Sequence, residues 1–258
     1  MLSIYCYFQS LLARLYSKRP SNAILSSNDT VAILASFRHS EYPPRKLFSV
    51  AIRNNQEGDT MDDRMSRAKF FALLRGLPSG DLAQIQVAYW LAKNAHRWQA
   101  PRDNGDRYFE HPRQVAVTLI GRGVRDKDII TTALLHDVVE DTNTPHVVIA
   151  DCFPNIIWER LYILSKYVAV FDPLTGQIHQ RLKKPPDEYF AAIAGADEAV
   201  RLVKLSDRRD NLRSMGAWET ERRERYIAET REYILPIAEK TDPWFLQEIT
   251  AAIAAASQ

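Results

Sequence analysis

The chain has 258 residues, of which 46% are hydrophobic and 26% are charged. This balance is typical of a globular protein with a buried core and excludes a fibrous or wholly disordered chain. The 34 basic and 32 acidic side chains leave a net charge of only +2, so the overall field favours neither a nucleic-acid partner nor a membrane surface. No apolar run approaches the roughly 20 residues that a membrane-spanning helix needs. Two cysteines, Cys6 and Cys152, are too few for a disulfide framework or a thiolate metal site, and we expect a cytoplasmic protein.

The first part of the chain, residues 1–60, shows no sustained hydrophobic period and holds scattered turn-forming residues. The sequence allows two interpretations of this segment. The segment is a weakly ordered leader whose composition loosely resembles a transit peptide, or translation starts at Met61 and the segment is not made. Residues 61–258 are predicted to form the folded domain.

Helical spacing of apolar residues begins at Met61 and recurs through the rest of the chain. The predicted helices span about 64–75, 81–96, 111–120, 127–141, 187–195, 197–215, 220–239 and 243–256. A further helix is predicted to begin with Thr144 as its N-cap and Pro145 as its first residue. Asp81 and Gln84 are predicted to form a capping box, and Asp126 to cap the helix that follows it. Strand-like alternation is nowhere strong, so we predict an all-α bundle.

The stretch 167–186 interrupts this pattern. It contains Asp172-Pro173, Gly176 and Pro185-Pro186, which break helices, and two adjacent lysines. We predict a mobile loop of the kind that covers a site.

Acidic and imidazole side chains stand at three places on separate predicted helices: His111, the segment His136-Asp137-Val138-Val139-Glu140-Asp141, and Asp207. At about 100° per residue, a continuous helix would place the four polar side chains of the middle segment on one arc. The apolar Ala133-Leu134-Leu135 precedes them, so this arc enters the core. Burying several acids without a cation would be very costly, and a bound metal is the simplest explanation.

The candidate ligands are two histidines and two aspartates. This mixed nitrogen and oxygen set suits Mn²⁺, Fe²⁺ or Zn²⁺ better than it suits the all-oxygen cage of calcium. The sequence therefore predicts one divalent transition ion.

His111, His136, Asp137 and Asp207 resemble the four metal ligands of the HD-domain phosphohydrolases. Within that superfamily the segment from His136 to Thr142 is similar to the signature of the hydrolase domain of RelA/SpoT-type proteins and of stand-alone small alarmone hydrolases. The resemblance runs from His96 to about Arg231 and includes Gly105-x-x-Tyr108 and the segment 204–215. It implies an HD-domain helical bundle that uses water to remove the 3′-pyrophosphate from guanosine tetra- or pentaphosphate, with Mn²⁺ as the usual ion.

The resemblance also implies roles for residues around the metal. Glu140 and Asp141 are assigned jointly to water activation and leaving-group protonation. Arg102 matches an arginine that lies against the guanine base. Further substrate contacts are expected on the helix that carries Asp207: Asn211 and Ser214 share its face at i+4 and i+7 and can hydrogen-bond the nucleotide, while Lys204 and Arg208 can meet phosphates.

Two departures from the family pattern affect the loop before His111. Asp103 stands where relatives place a lysine, which inverts a charge near a polyanionic substrate, and Arg107 stands where a proline is usual. Two alternatives therefore remain: hydrolysis of another nucleotide or pyrophosphorylated metabolite, and a sensing module that binds without turnover. His96 and Tyr108 are predicted to be packing or loop anchors, and the sequence leaves the oligomeric state open.

Overall fold

The computed structural model describes residues 65–171 and 178–256. The predicted leader, residues 1–60, and the proposed start at Met61 lie outside the described residues. The helices in chain order are α1 Arg67–Ala72, α2 Ser79–Ala95, α3 Glu110–Gly121, α4 Lys127–Leu135, α5 Val138–Asp141, α6 His146–Cys152, α7 Asn155–Leu164, α8 Pro186–Gly195, α9 Glu198–Ser214, α10 Thr220–Glu229, α11 Leu235–Thr241 and α12 Pro243–Ala256.

Helix α9 is the central element of the bundle. It packs against α3, α4, α11 and α12, while α2 and α3 both pack against α4. Apolar side chains of α9 such as Val200, Val203 and Leu205 are completely buried in one continuous core with residues from these neighbours. Because α3, α4 and α9 contact one another, polar side chains that point inward from these three helices meet in the interior.

Helix starts follow the predicted caps at some places and not at others. The Asp126 carboxylate accepts hydrogen bonds from the backbone amides of Asp128 and Ile129 and caps α4, as predicted. The prediction that Asp81 and Gln84 form a capping box is wrong, because α2 already begins at Ser79, directly after Pro78. Thr144 does not cap α6 either, since Pro145 holds that position.

The predicted helix 127–141 is interrupted at its most polar point. Helix α4 ends at Leu135, and α5 begins only at Val138. His136 and Asp137 form the turn between the two, with Asp137 at φ −95° and ψ −9°. The single helical arc predicted for residues 136–141 is therefore wrong, because a turn at His136 and Asp137 separates α4 from α5.

The predicted loop 167–186 contains a β-hairpin. Strand β1, Tyr167–Phe171, pairs antiparallel with β2, Ile178–Lys183, in a register that places Tyr167 opposite Lys183. Hydrophobic and polar residues alternate only weakly in these two segments, so the strands are stabilised by backbone pairing more than by the side-chain pattern. The all-α prediction holds for the body of the protein, with this one small sheet as its exception among the described residues.

The described residues contain no helix with the length and apolar character that crossing a bilayer requires.

The cap of α4 is open to a direct test. Asp126→Ala removes the acceptor for two backbone amides and should lower the free energy of unfolding by about 1 kcal/mol. Asp126→Asn keeps a side-chain oxygen and should retain most of that stability. Urea unfolding of both variants measures the difference, and equal losses would show that the cap does not act through its acceptor.

Candidate metal centre

Four of the predicted site residues meet where α3, the turn between α4 and α5, and α9 come together. The Nε2 atom of His111 lies 3.2 Å from Asp207 Oδ1 and 3.5 Å from Asp137 Oδ2. The Nε2 atom of His136 lies 3.2 Å from Asp137 Oδ1 and 3.9 Å from Asp207 Oδ1. Two imidazole nitrogens and two carboxylates thus converge on one small volume.

Hydrogen bonds on the far side of each ring turn both Nε2 atoms toward this volume. His136 Nδ1 donates to Ala133 O at 2.8 Å, and His111 Nδ1 donates to Asp210 Oδ2 at 2.6 Å. The Nε2 atom of His136 is buried and makes no hydrogen bond. A buried nitrogen with a free lone pair beside two carboxylates fits a divalent cation well, because each of these groups can serve as a metal ligand.

Charges around the two carboxylates keep them ionised despite their burial. Burial alone raises the pKa of Asp207, but the Lys204 ammonium and His111 hold that pKa well below its usual range. For Asp137 the burial effect is likewise outweighed, here by His136 and His111, which lower its pKa. Both side chains are therefore anionic acceptors at neutral pH.

Asp210 belongs to this centre although the sequence analysis did not single it out. Its carboxylate links His111 Nδ1 to the guanidinium of Arg102, which lies 3.0 Å from Oδ2. The position follows Asp207 by almost one helical turn, so spacing along α9 was the signal that could have revealed it. A carboxylate behind a metal-binding histidine orients the ring and raises the basicity of the nitrogen that faces the metal.

Tyr108 does more than anchor the loop before α3. Its ring stacks on His96 with centroids 4.8 Å apart, which agrees with the predicted packing role. Its hydroxyl also donates to Asp137 Oδ2 at 3.2 Å and hydrogen-bonds Asp141 Oδ2. The phenol therefore joins a candidate ligand to a candidate catalytic acid.

The acidic pair on α5 divides between two environments. Glu140 is mostly buried, and its Oε2 accepts a hydrogen bond from the Lys166 backbone amide at 2.7 Å. Burial raises the pKa of Glu140 to about 7. Asp141 is exposed and hydrogen-bonds Tyr108, so the two carboxylates have different hydrogen-bond partners.

Three of the predicted substrate-binding residues lie together beside this centre. The Arg102 guanidinium donates to Asn211 Oδ1 at 2.6 Å and to Ser214 Oγ at 3.1 Å. Asn211 in turn donates to Asp207 Oδ1 at 2.5 Å. Arg102, Asp210 and Ser214 line one wall of a pocket that also reaches His111 and Arg113.

The other two predicted phosphate contacts are placed differently. Lys204 is buried, and its Nζ lies 2.9 Å from Asp207 Oδ2, so it neutralises a candidate metal ligand. Arg208 is fully buried and donates to Glu229 and Thr230 in the C-terminal helices. The prediction that Arg208 meets a phosphate is wrong, because its guanidinium is used inside the bundle.

Comparison with known proteins places this arrangement in a family. Residues 88–162 match the model of the HD domain, and this range contains His111, His136 and Asp137. This segment of the chain is similar to an HD domain. The resemblance predicted from the sequence is thereby confirmed.

Curated proteins similar to this chain are named for hydrolysis or for synthesis of guanosine polyphosphates. The guanosine-3′,5′-bis(diphosphate) 3′-pyrophosphohydrolase of Aquifex aeolicus is 34% identical over 165 residues, which cover 64% of this chain and 22% of that protein. The bifunctional (p)ppGpp synthase/hydrolase SpoT of Escherichia coli is 30% identical over 164 residues, again 64% of this chain and 22% of the relative. The chain thus spans about a fifth of the length of these relatives.

One solved structure is similar to this chain over most of its own length. A metazoan ortholog of SpoT that hydrolyzes ppGpp superposes with a TM-score of 0.56 at 22% identity, covering 67% of this chain and 95% of that one. At this level of identity the match establishes the HD-domain fold.

The role of Asp210 behind His111 can be measured as metal affinity. Asp210→Ala should weaken Mn²⁺ binding by about 10- to 100-fold, because the His111 ring loses the carboxylate that orients it. Arg102→Ala removes the other partner of Asp210 and should change the affinity by less than about threefold, since it contacts no candidate ligand. Calorimetric titration of chelator-treated protein gives both values, and an unchanged affinity in Asp210→Ala would remove Asp210 from the centre.

The internal role of Arg208 is tested by stability. Arg208→Ala should lower the free energy of unfolding by about 3 kcal/mol, because it breaks a buried charged hydrogen-bond network. Arg213→Ala, on the same helix but more than half exposed, should change it by about 0.5 kcal/mol or less. Similar values for the two variants in urea unfolding would contradict this assignment.

Proposed function

We propose that this chain hydrolyses the 3′-pyrophosphate of guanosine 3′,5′-bis(diphosphate) and of its pentaphosphate in the cytoplasm, releasing GDP or GTP and pyrophosphate. One observation carries the proposal: the four candidate metal ligands lie together, and hydrogen bonds join them to two neighbouring groups. Tyr108 links them to Asp141, and Asn211 links them to the Arg102 cluster, which consists of Arg102, Asn211 and Ser214. The names of the relatives in the preceding section support the same reaction.

His111, His136, Asp137 and Asp207 would hold the metal, for which we propose Mn²⁺, with Fe²⁺ or Zn²⁺ as ions that the same ligands accept. A bound divalent ion supplies positive charge that offsets the phosphate charge and makes water more acidic. The chain prepares the centre for that ion through Lys204, which keeps Asp207 ionised, and through Asp210, which orients His111.

The acidic pair on α5 handles the protons. Asp141 is held by the Tyr108 hydroxyl, which also contacts Asp137, so its carboxylate is fixed beside the candidate ligands. Glu140 lies on the more buried side, where its raised pKa lets it exchange a proton near neutral pH. We assign the pair jointly to accepting a proton from the attacking water and returning one to the leaving oxygen.

The Arg102 cluster binds the nucleotide. The planar guanidinium of Arg102 suits stacking on a purine ring. The amide of Asn211 and the hydroxyl of Ser214 offer hydrogen bonds next to it. Because Asn211 also contacts Asp207, the nucleotide and the metal are positioned through the same helix, α9.

The first experiment is product analysis by ion-exchange chromatography after incubation of the purified protein with guanosine tetraphosphate, with Mn²⁺ or with chelator. Release of GDP and pyrophosphate that depends on Mn²⁺ supports the proposal. If the metal-loaded protein leaves this substrate intact but hydrolyses another nucleotide, the charge inversion at Asp103 favours that second activity. If it binds the nucleotide without any turnover, it acts as a sensor.

The acidic pair should be required for turnover but not for metal binding. Glu140→Gln combined with Asp141→Asn should lower kcat by at least about 100-fold, because the amides cannot exchange protons. Mn²⁺ affinity should stay within about threefold, since neither side chain is a proposed ligand.

A matched control lies on α8, where Asp187 and Glu188 form an exposed acidic pair in the first turn. The double variant Asp187→Asn and Glu188→Gln should keep the full rate. An undiminished rate in the α5 double variant would remove the pair from the mechanism.

A further inference from the structure

Asp103, which stands where relatives place a lysine, forms an ion pair in the structure. Its Oδ2 lies 3.0 Å from a guanidinium nitrogen of Arg222, on α10, 119 residues further along the chain. Both side chains are about half exposed, at 48% and 52%. The negative charge next to Arg102 is therefore neutralised from a distant part of the chain.

Arg222 is held in place independently of Asp103. Its guanidinium lies 3.8 Å from the centre of the Trp218 ring, and that ring packs edge-on against Tyr226 at 5.2 Å. Stacking on a ring that is itself fixed lowers the entropy that an exposed arginine loses when it forms an ion pair. This pair is therefore better organised than an ordinary surface pair.

Backbone hydrogen bonds join Asp103 and Arg102 in one closed turn. The Arg102 amide donates to Asp106 O at 2.8 Å, and the Gly105 amide donates to Arg102 O at 2.7 Å. Gly105 has φ +83°, a conformation that side-chain-bearing residues rarely adopt, and this closes the turn. Asp103 thus lies inside a closed five-residue turn whose first residue contacts Asn211 and Ser214.

We infer that Arg222 is a positioning residue for substrate recognition, acting by neutralising Asp103 beside Arg102. The inference rests on the proposed function, because it concerns binding of a polyphosphorylated nucleotide at that site. Without Arg222 the loop presents a free carboxylate next to the Arg102 guanidinium. That carboxylate adds negative charge to the loop that carries Arg102 and repels substrate phosphates. Neither Asp103 nor Arg222 contacts a candidate metal ligand, so the proton transfers are unaffected.

The test is a double-mutant cycle in the full chain loaded with Mn²⁺, using guanosine tetraphosphate as the probe. Arg222→Ala should raise KM about fivefold and change kcat by less than about twofold, because ground-state and transition-state binding weaken alike. Adding Asp103→Asn to Arg222→Ala should bring KM back to within about twofold of the original value, because the uncompensated charge is gone. The KM defect of Arg222→Ala should shrink as salt increases from about 0.05 to 0.5 M, as screening requires.

Arg225→Ala is the matched control. Arg225 lies on the same helix, is 73% exposed and pairs with Glu221, so its removal should leave KM unchanged. A similar KM in Arg222→Ala and the original protein, or a KM defect that Asp103→Asn does not relieve, overturns the inference while leaving the proposed function standing. Lack of any turnover by the unsubstituted protein overturns both.

Discussion

Two interior carboxylates, the buried Asp207 and the partly buried Asp137, impose the constraint on which the rest of the site depends. An anion inside a helical core must meet positive charge, or its desolvation would destabilise the fold. Lys204 supplies part of that charge to Asp207, and the imidazoles of His111 and His136 lie against both carboxylates. A divalent cation would complete the neutralisation, so groups that would otherwise destabilise the core are suited to form a binding centre.

A second layer of contacts decides which atoms face the centre. The Ala133 carbonyl and the Asp210 carboxylate take the Nδ1 protons of His136 and His111, and this leaves both Nε2 atoms turned inward. The Tyr108 hydroxyl likewise orients the Asp141 carboxylate through a hydrogen bond. Orientation by such contacts costs little at the moment of reaction, because the groups are already in place when the substrate arrives.

Helix α9 joins the chemical and the recognition sides of the site. Asp207, Asp210, Asn211 and Ser214 follow one another along it, and Arg102 reaches across to the last three. The Asp103 charge, which would disfavour a polyphosphate in isolation, is balanced from α10 through Arg222. The proposed recognition surface therefore combines residues that are far apart in the sequence.

The sequence by itself determined the helical body and the Asp126 cap, because hydrophobic periodicity and cap chemistry are local properties. It indicated His111, His136-Asp137 and Asp207 only through their resemblance to a known motif, since their contact joins three separate elements. Tertiary structure alone decided the break before Val138, the hairpin, and the separate environments of Glu140 and Asp141. It also placed Arg208 inside the bundle, where Glu229 accepts from its guanidinium. The sequence cannot distinguish a basic helix residue that contacts water or substrate from one that pairs with an acid inside the bundle, because the partner comes from another part of the chain.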